Sequence, residues 1–160
     1  MLLLAETLVR IPYDEVAHVW PELILAITMC AVLLTPMLRG PSVAGPAIAG
    51  LIGLGAAAIA TGATLGHTND VLFHGMLVID PFSQFFKLIL LVMTALAIGQ
   101  RISTNRVEMR ATSTPEYLCL MIGAVLGMCL IASANNLLAI VIALEAASIP
   151  SFALAGFRKR

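Results

Sequence analysis

The sequence predicts an all-α fold: a polytopic transmembrane bundle of about five helices, forming a single membrane domain over residues 1–160. Three observations lead there. The chain is 60% hydrophobic and 11% charged, with a mean hydropathy of +1.00, whereas soluble domains carry about 25% charged residues. Its apolar runs are continuous and close to the ~20 residues a membrane helix needs, about twice the length of a barrel strand, so strands are not expected to span. Its lysines and arginines collect in alternate connections, as expected for a chain that crosses a bilayer repeatedly.

The elements follow in order. The first helix is expected over 20–38, with Pro21 in its first turn, where the missing N–H costs nothing. Trp20 sits where an interfacial aromatic belongs, and Pro36, Gly40 and Pro41 are expected to end the helix. The second is expected over 43–65, almost entirely Ala, Gly, Ile and Leu. The third is expected over 77–100, the fourth over 116–132 and the fifth over 137–157. Only Ser133 to Asn136 separates the last two, so they should form a tight antiparallel hairpin. Gly62 with Gly66, and Gly123 with Gly127, have the small-xxx-small spacing that lets helices approach closely.

Charge sets an orientation. Arg39 follows helix one; Arg101, Arg106 and Arg110 follow helix three; Arg158, Lys159 and Arg160 follow helix five. With five spans these regions share a side. The opposite side has Arg10 with Glu6, Asp14, Glu15, Asp70 and the histidines. Basic connections stay inside, which puts the C-terminus inside and the N-terminus outside.

Glu145 stands out chemically. It falls inside the apolar run from Leu137 to Phe157, roughly 12 Å from the helix start at ~1.5 Å per residue. A carboxylate near the midplane costs on the order of 2.5–3.5 kcal/mol on insertion scales, so it should face protein or water and is a functional-site candidate. Pro150, five residues on, removes a backbone hydrogen bond and should kink the helix, leaving the Ala146 carbonyl for water or a neighbour. Ser148 is small and polar and should pack against or cap that kink. The bland alternative is an ordinary proline kink beside a glutamate that ties helices together.

A proton pathway through Glu145 calls for a basic partner. The chain offers Lys87 in the third helix, which either pairs with Glu145 or snorkels to an interface. Asp80, before Pro81, and Glu22, after Pro21, read as acidic residues at helix starts favoured by the helix dipole. A structural role suits both better than a relay role.

Other chemistry is poorly supported. Cys30, Cys119 and Cys129 lie in apolar runs without CxxC or Cys/His spacing, and His18, His67 and His74 fit no metal motif. No metal site or cofactor-binding site is expected. Walker, Rossmann and nucleophile-elbow motifs are missing from the sequence, and no basic patch interleaved with aromatics suggests nucleic acid.

The stretch EYLCLMIGAVLGMCLIASANNLLAIVIALEAASIPSFALAGFRKR, Glu116 to Arg160, resembles the N-type antiporter-like membrane subunit of proton-pumping NADH:quinone oxidoreductase, respiratory complex I, the counterpart of mitochondrial subunit 2. Its marks are the small-Ala-Asn turn, the Leu-Glu with nearby Ser and Pro around Glu145, Ser148 and Pro150, and the closing basic cluster. The pieces WPELILAI and IDPFSQFFKLILL are similar to the family's first and third helices. The resemblance implies the N-terminal five-helix part of an antiporter-like fold, in a bacterial cytoplasmic or mitochondrial inner membrane. It implies a non-redox, proton-translocating subunit that binds no cofactor, with FMN, Fe–S clusters and quinone in other subunits. Glu145 matches the family's fifth-helix glutamate, which pairs with a lysine on a later, broken helix that this sequence does not reach.

The expected partners are therefore the lipid bilayer, other membrane-arm subunits, and a second chain carrying the missing helices and intramembrane lysines. A split subunit is expected rather than a fragment of a longer protein. Its function would couple electron transfer elsewhere in the complex to proton movement through Glu145. The alternatives are a structural or assembly subunit without a proton path, and a subunit of a related cation/proton antiporter or membrane-bound hydrogenase complex.

Overall fold

The computed structural model describes residues 19–40, 42–65, 70–103 and 113–157. Several residues weighed above lie outside them: Glu6, Arg10, Asp14, Glu15, His18, Pro41, Gly66, His67, Arg106, Arg110, Arg158, Lys159 and Arg160.

Five helices carry the architecture: α1 Trp20–Arg39, α2 Ala44–Ala63, α3 Pro81–Ser103, α4 Thr114–Ser133 and α5 Leu137–Gly156. All five are long and apolar enough to cross a membrane, and the chain is an integral membrane protein. The connections between α1 and α2 and between α4 and α5 are short, which forces antiparallel neighbours. Asn136 starts α5 as an N-cap, its side chain accepting from Leu138 N–H at 3.1 Å.

Two sequence expectations need correction here. Pro36 does not end α1; the helix runs on to Arg39, and Gly40, at φ 79°, ends it. A proline this late removes one intrahelical bond, and Thr35 Oγ1 supports the adjoining turn by donating to the Ala31 carbonyl at 2.7 Å. The third helix begins at Pro81 rather than at residue 77, because Leu77–Ile79 is a strand, β2. It pairs antiparallel with β1, Asp70–Leu72, with Leu72 opposite Leu77 and Asp70 opposite Ile79.

A 3-10 turn, Phe73–Gly75, joins the two strands, and Gly75 turns at φ 89°, a conformation costly for residues with a Cβ. These strands are three residues long and lie in the connection, not across the membrane. Backbone bonding ties the hairpin to the α4–α5 turn. Leu77 bridges Ala134, and Asn135 N–H donates to the Met76 carbonyl at 2.9 Å.

The core follows the heptad-like spacing of inward residues. Leu25 and Val32 of α1, Ala47 and Leu54 of α2, Leu91 and Ile98 of α3 each repeat at seven, and α4 contributes Leu118, Ile122, Val125 and Cys129. Helix α4 lies at the centre and packs against the other four. Half of its span is buried, against 11% for α5.

Small residues set the closest approaches. A Cβ on Gly127 would meet the backbone of Ala147, and one on Gly123 would meet Met29 Sδ at 3.3 Å and Pro150 Cγ at 3.5 Å. The α4–α5 contact therefore uses the Gly123/Gly127 pair as its spacing suggests. Gly62 does not act in this way: a Cβ there would touch nothing. The tight point of α2 is Gly53, whose missing side chain makes room for Thr28 of α1.

Candidate functional site

The inward face of α3 carries Gln84, Lys87, Leu91, Thr94 and Ile98, spaced by three and four like any buried helical stripe. Lys87 is thereby carried into the core with its helix. Glu22 lies on the matching stripe of α1, one turn before Leu25. Lys87 Nζ and Glu22 Oε1 are 2.6 Å apart, and the two side chains are only 5% and 7% exposed. Lys87 thus neither snorkels nor pairs with Glu145. Glu22 keeps its place in the first turn of α1 and also neutralises a buried ammonium, a combination the sequence does not announce.

A small cavity of about 10 Å³ adjoins the pair. Leu72, Leu77 and Ile79 of the hairpin line it together with Glu22, Lys87 and Ser133. Ser133 is the last residue of α4, one turn beyond Cys129, which lies within electrostatic reach of both charges. Glu22 Oε2, Ser133 Oγ and Gln84 Oε1 are buried without a hydrogen-bond partner. The amide nitrogen of Gln84 donates to the Thr64 carbonyl at 2.8 Å, pinning the end of α2 to α3. Ser133 and Gln84 escaped the sequence reading. For Gln84 the available signal was the recurrence of polar residues at helical spacing along one face of an otherwise apolar α3; Ser133, at the end of α4, had no such pattern around it.

Asp80 is a cap. Its Oδ1 accepts from Ser83 N–H at 2.8 Å, and Ser83 Oγ lies 3.3 Å from Asp80 N–H. This reciprocal pattern satisfies the orphan amides at the start of α3.

Glu145 sits elsewhere. It lies on α5, whose packed face is Ala143 and Ala147, and its own side chain is exposed. It has no ion-pair or hydrogen-bond partner among the described residues. Pro150 lies inside α5 and packs toward Gly123. Ser148 Oγ donates to the Leu144 carbonyl at 2.7 Å, and Ser151 Oγ to that of Ala147 at 2.7 Å. Ser148 therefore braces the turn before the proline rather than the Ala146 carbonyl. The structure brings Lys87, Glu22 and Ser133 together and leaves Glu145 apart from them, on the open side of α5. Among the described residues, no group of three His, Cys, Asp or Glu side chains could hold a metal ion.

The five-helix membrane bundle of the described residues has a counterpart among solved structures. A chain of respiratory complex I from Thermus thermophilus, determined with bound aureothin, superposes with a TM-score of 0.69 at 31% identity, over 87% of this chain and 29% of that one. The chain is homologous over most of its length to subunit N, or subunit 2, of quinone oxidoreductases. It is 33% identical over 139 residues to NADH-quinone oxidoreductase subunit N of Dehalococcoides mccartyi, covering 87% of this chain and 28% of the relative. Over 155 residues it is 33% identical to F(420)H(2) dehydrogenase subunit N of Methanosarcina mazei, covering 92% of this chain and 31% of the relative. The NAD(P)H-quinone oxidoreductase subunit 2 of Gloeobacter violaceus is also 33% identical, over 141 residues, 88% of this chain and 27% of that one. The chain thus spans less than a third of the length of these relatives. No protein-family model matches it.

Proposed function

We propose that this chain forms part of a proton-translocating membrane subunit of a quinone oxidoreductase, with Glu145 as the protonatable centre. The observation that carries the proposal is the placement of Glu145. It projects from the exposed side of α5, eight residues past the helix start and so ~12 Å deep. A carboxylate facing lipid there would cost on the order of 2.5–3.5 kcal/mol. Further helices must therefore cover this side, and they would supply the basic partner that the described residues of α1 to α4 do not. The relatives' greater length leaves room for such helices, whether in this polypeptide or in a second one.

In this reading the chain moves protons and leaves redox chemistry to other subunits, which would hold the FMN, Fe–S clusters and quinone. The relatives support that division. Their names give NADH, NAD(P)H and F(420)H(2) as donors, a variety expected of a subunit that never touches the donor. The basic connections face the inside, and the N-terminus lies outside. Lys87, already neutralised by Glu22, takes no direct part in the Glu145 step.

The test is Glu145→Gln in the assembled complex. Proton translocation per electron should fall while assembly persists. Unchanged stoichiometry and turnover would leave Glu145 as a tie between helices and overturn the proposal.

A further inference from the structure

The buried pair leaves half of its carboxylate unused. Lys87 Nζ occupies Glu22 Oε1, while Oε2 meets no donor among the described residues. Ser133 Oγ is in the same condition. Glu22 is 6% exposed, Lys87 4% and Ser133 4%, so bulk solvent does not serve these atoms. All three side chains line one cavity of about 10 Å³, with hairpin residues Leu72, Leu77 and Ile79 beside them.

That volume is about what a single water needs, and a water stays in a buried cavity when it finds roughly two to four polar partners. An apolar cavity of this size would stay dry; this one offers a carboxylate oxygen, a hydroxyl and the spare donors of an ammonium. The site also lies where three elements end or begin. Glu22 is in the first turn of α1, Ser133 is the last residue of α4, and the hairpin leads into α3.

We propose that this pocket binds one water molecule, which bridges Glu22 Oε2 to Ser133 Oγ and makes the Glu22–Lys87 pair a second proton-exchanging site, separate from Glu145. The water gives the pair a hydrogen-bonded outlet toward the hairpin end of the bundle. A proton delivered through it forms an O–H bond at Oε2, with Lys87 remaining an ammonium; release breaks the same bond and returns the proton to water. The hairpin lines this end of the pocket, and its bonds to the α4–α5 turn, Asn135 to Met76 and Leu77 to Ala134, hold it in place.

The experiment is infrared difference spectroscopy of the assembled complex in lipid vesicles, in ordinary water and in H2 18O, alongside proton translocation. Wild type should show an O–H band that shifts with the isotope. Ser133→Val fills the cavity and leaves the ion pair in place; the band should vanish and translocation should fall several-fold. No isotope-sensitive band in wild type overturns the proposal, as does undiminished translocation once the band is gone. If S133V does not assemble, Ser133→Ala decides: removing the hydroxyl takes one partner from the water, and a band unmoved in frequency overturns the site. The water band does not depend on the role of Glu145, so this proposal and the preceding one fail separately.

Discussion

Breaking the Lys87–Glu22 pair one member at a time should cost far more than removing it whole. Both side chains are almost fully buried and Nζ lies 2.6 Å from Oε1. Replacing Lys87 by Met keeps most of the volume and strands a carboxylate in the core. Such a loss costs about 3–5 kcal/mol, whereas replacing both members by apolar residues of similar size is often neutral or stabilising. For a chain of this length each kcal/mol moves the midpoint by about 2–4 °C, so K87M should lower Tm by roughly 6–20 °C. Glu22→Leu alone should do the same to the stranded ammonium. The double variant should recover most of the loss, a coupling that a double-mutant cycle measures directly.

The assay is thermal unfolding of the purified assembly in detergent. A thiol-reactive dye would report exposure of Cys119 and Cys129, which are buried, in a background where the exposed Cys30 is changed to Ser. A cost for K87M below about 1 kcal/mol, the range of solvent-exposed pairs, would refute the reasoning. So would a double variant that costs the sum of the two singles.

Other outcomes follow from the packing. Gly127→Ala should force α4 and α5 apart, because the new methyl meets the Ala147 backbone; a loss of about 1–3 kcal/mol is expected, read from the same melting curves. Gly62→Ala meets nothing, so it should leave stability unchanged or raise it by roughly 0.5–1 kcal/mol through helix propensity. A comparable cost at both glycines would show that the contact with Ala147 does not set the effect, since propensity alone favours alanine at either position. Asn136→Ala removes the N-cap of α5 and should cost about 1 kcal/mol, seen as faster hydrogen exchange at the amides of Leu137 to Leu138. Unchanged exchange there would show the cap to be idle.

The sequence by itself determined the spanning helices, because each must satisfy its own backbone within lipid, and that demands long apolar runs whatever their neighbours do. It also marked Glu145 as a charge out of place, Asp80 as a helix-start residue, and the Gly123/Gly127 contact. It missed the three-residue strands, since segments so short are fixed by the turn and by Ala134 across the gap rather than by any pattern of their own. Pro36 gave a stop signal that the rest of α1 overrode.

The partner of Lys87 was decided only by tertiary structure. Glu22 and Glu145 are both acidic groups within apolar helices, and spacing along the chain does not say which one α3 faces. Packing says it: α4 fills the centre, α1 and α3 flank it, and α5 lies on its far side in contact with little else. A lysine on the inward stripe of α3 therefore meets the glutamate of α1, and the same arrangement leaves Ser133 beside the pair and Glu145 on the open side of α5.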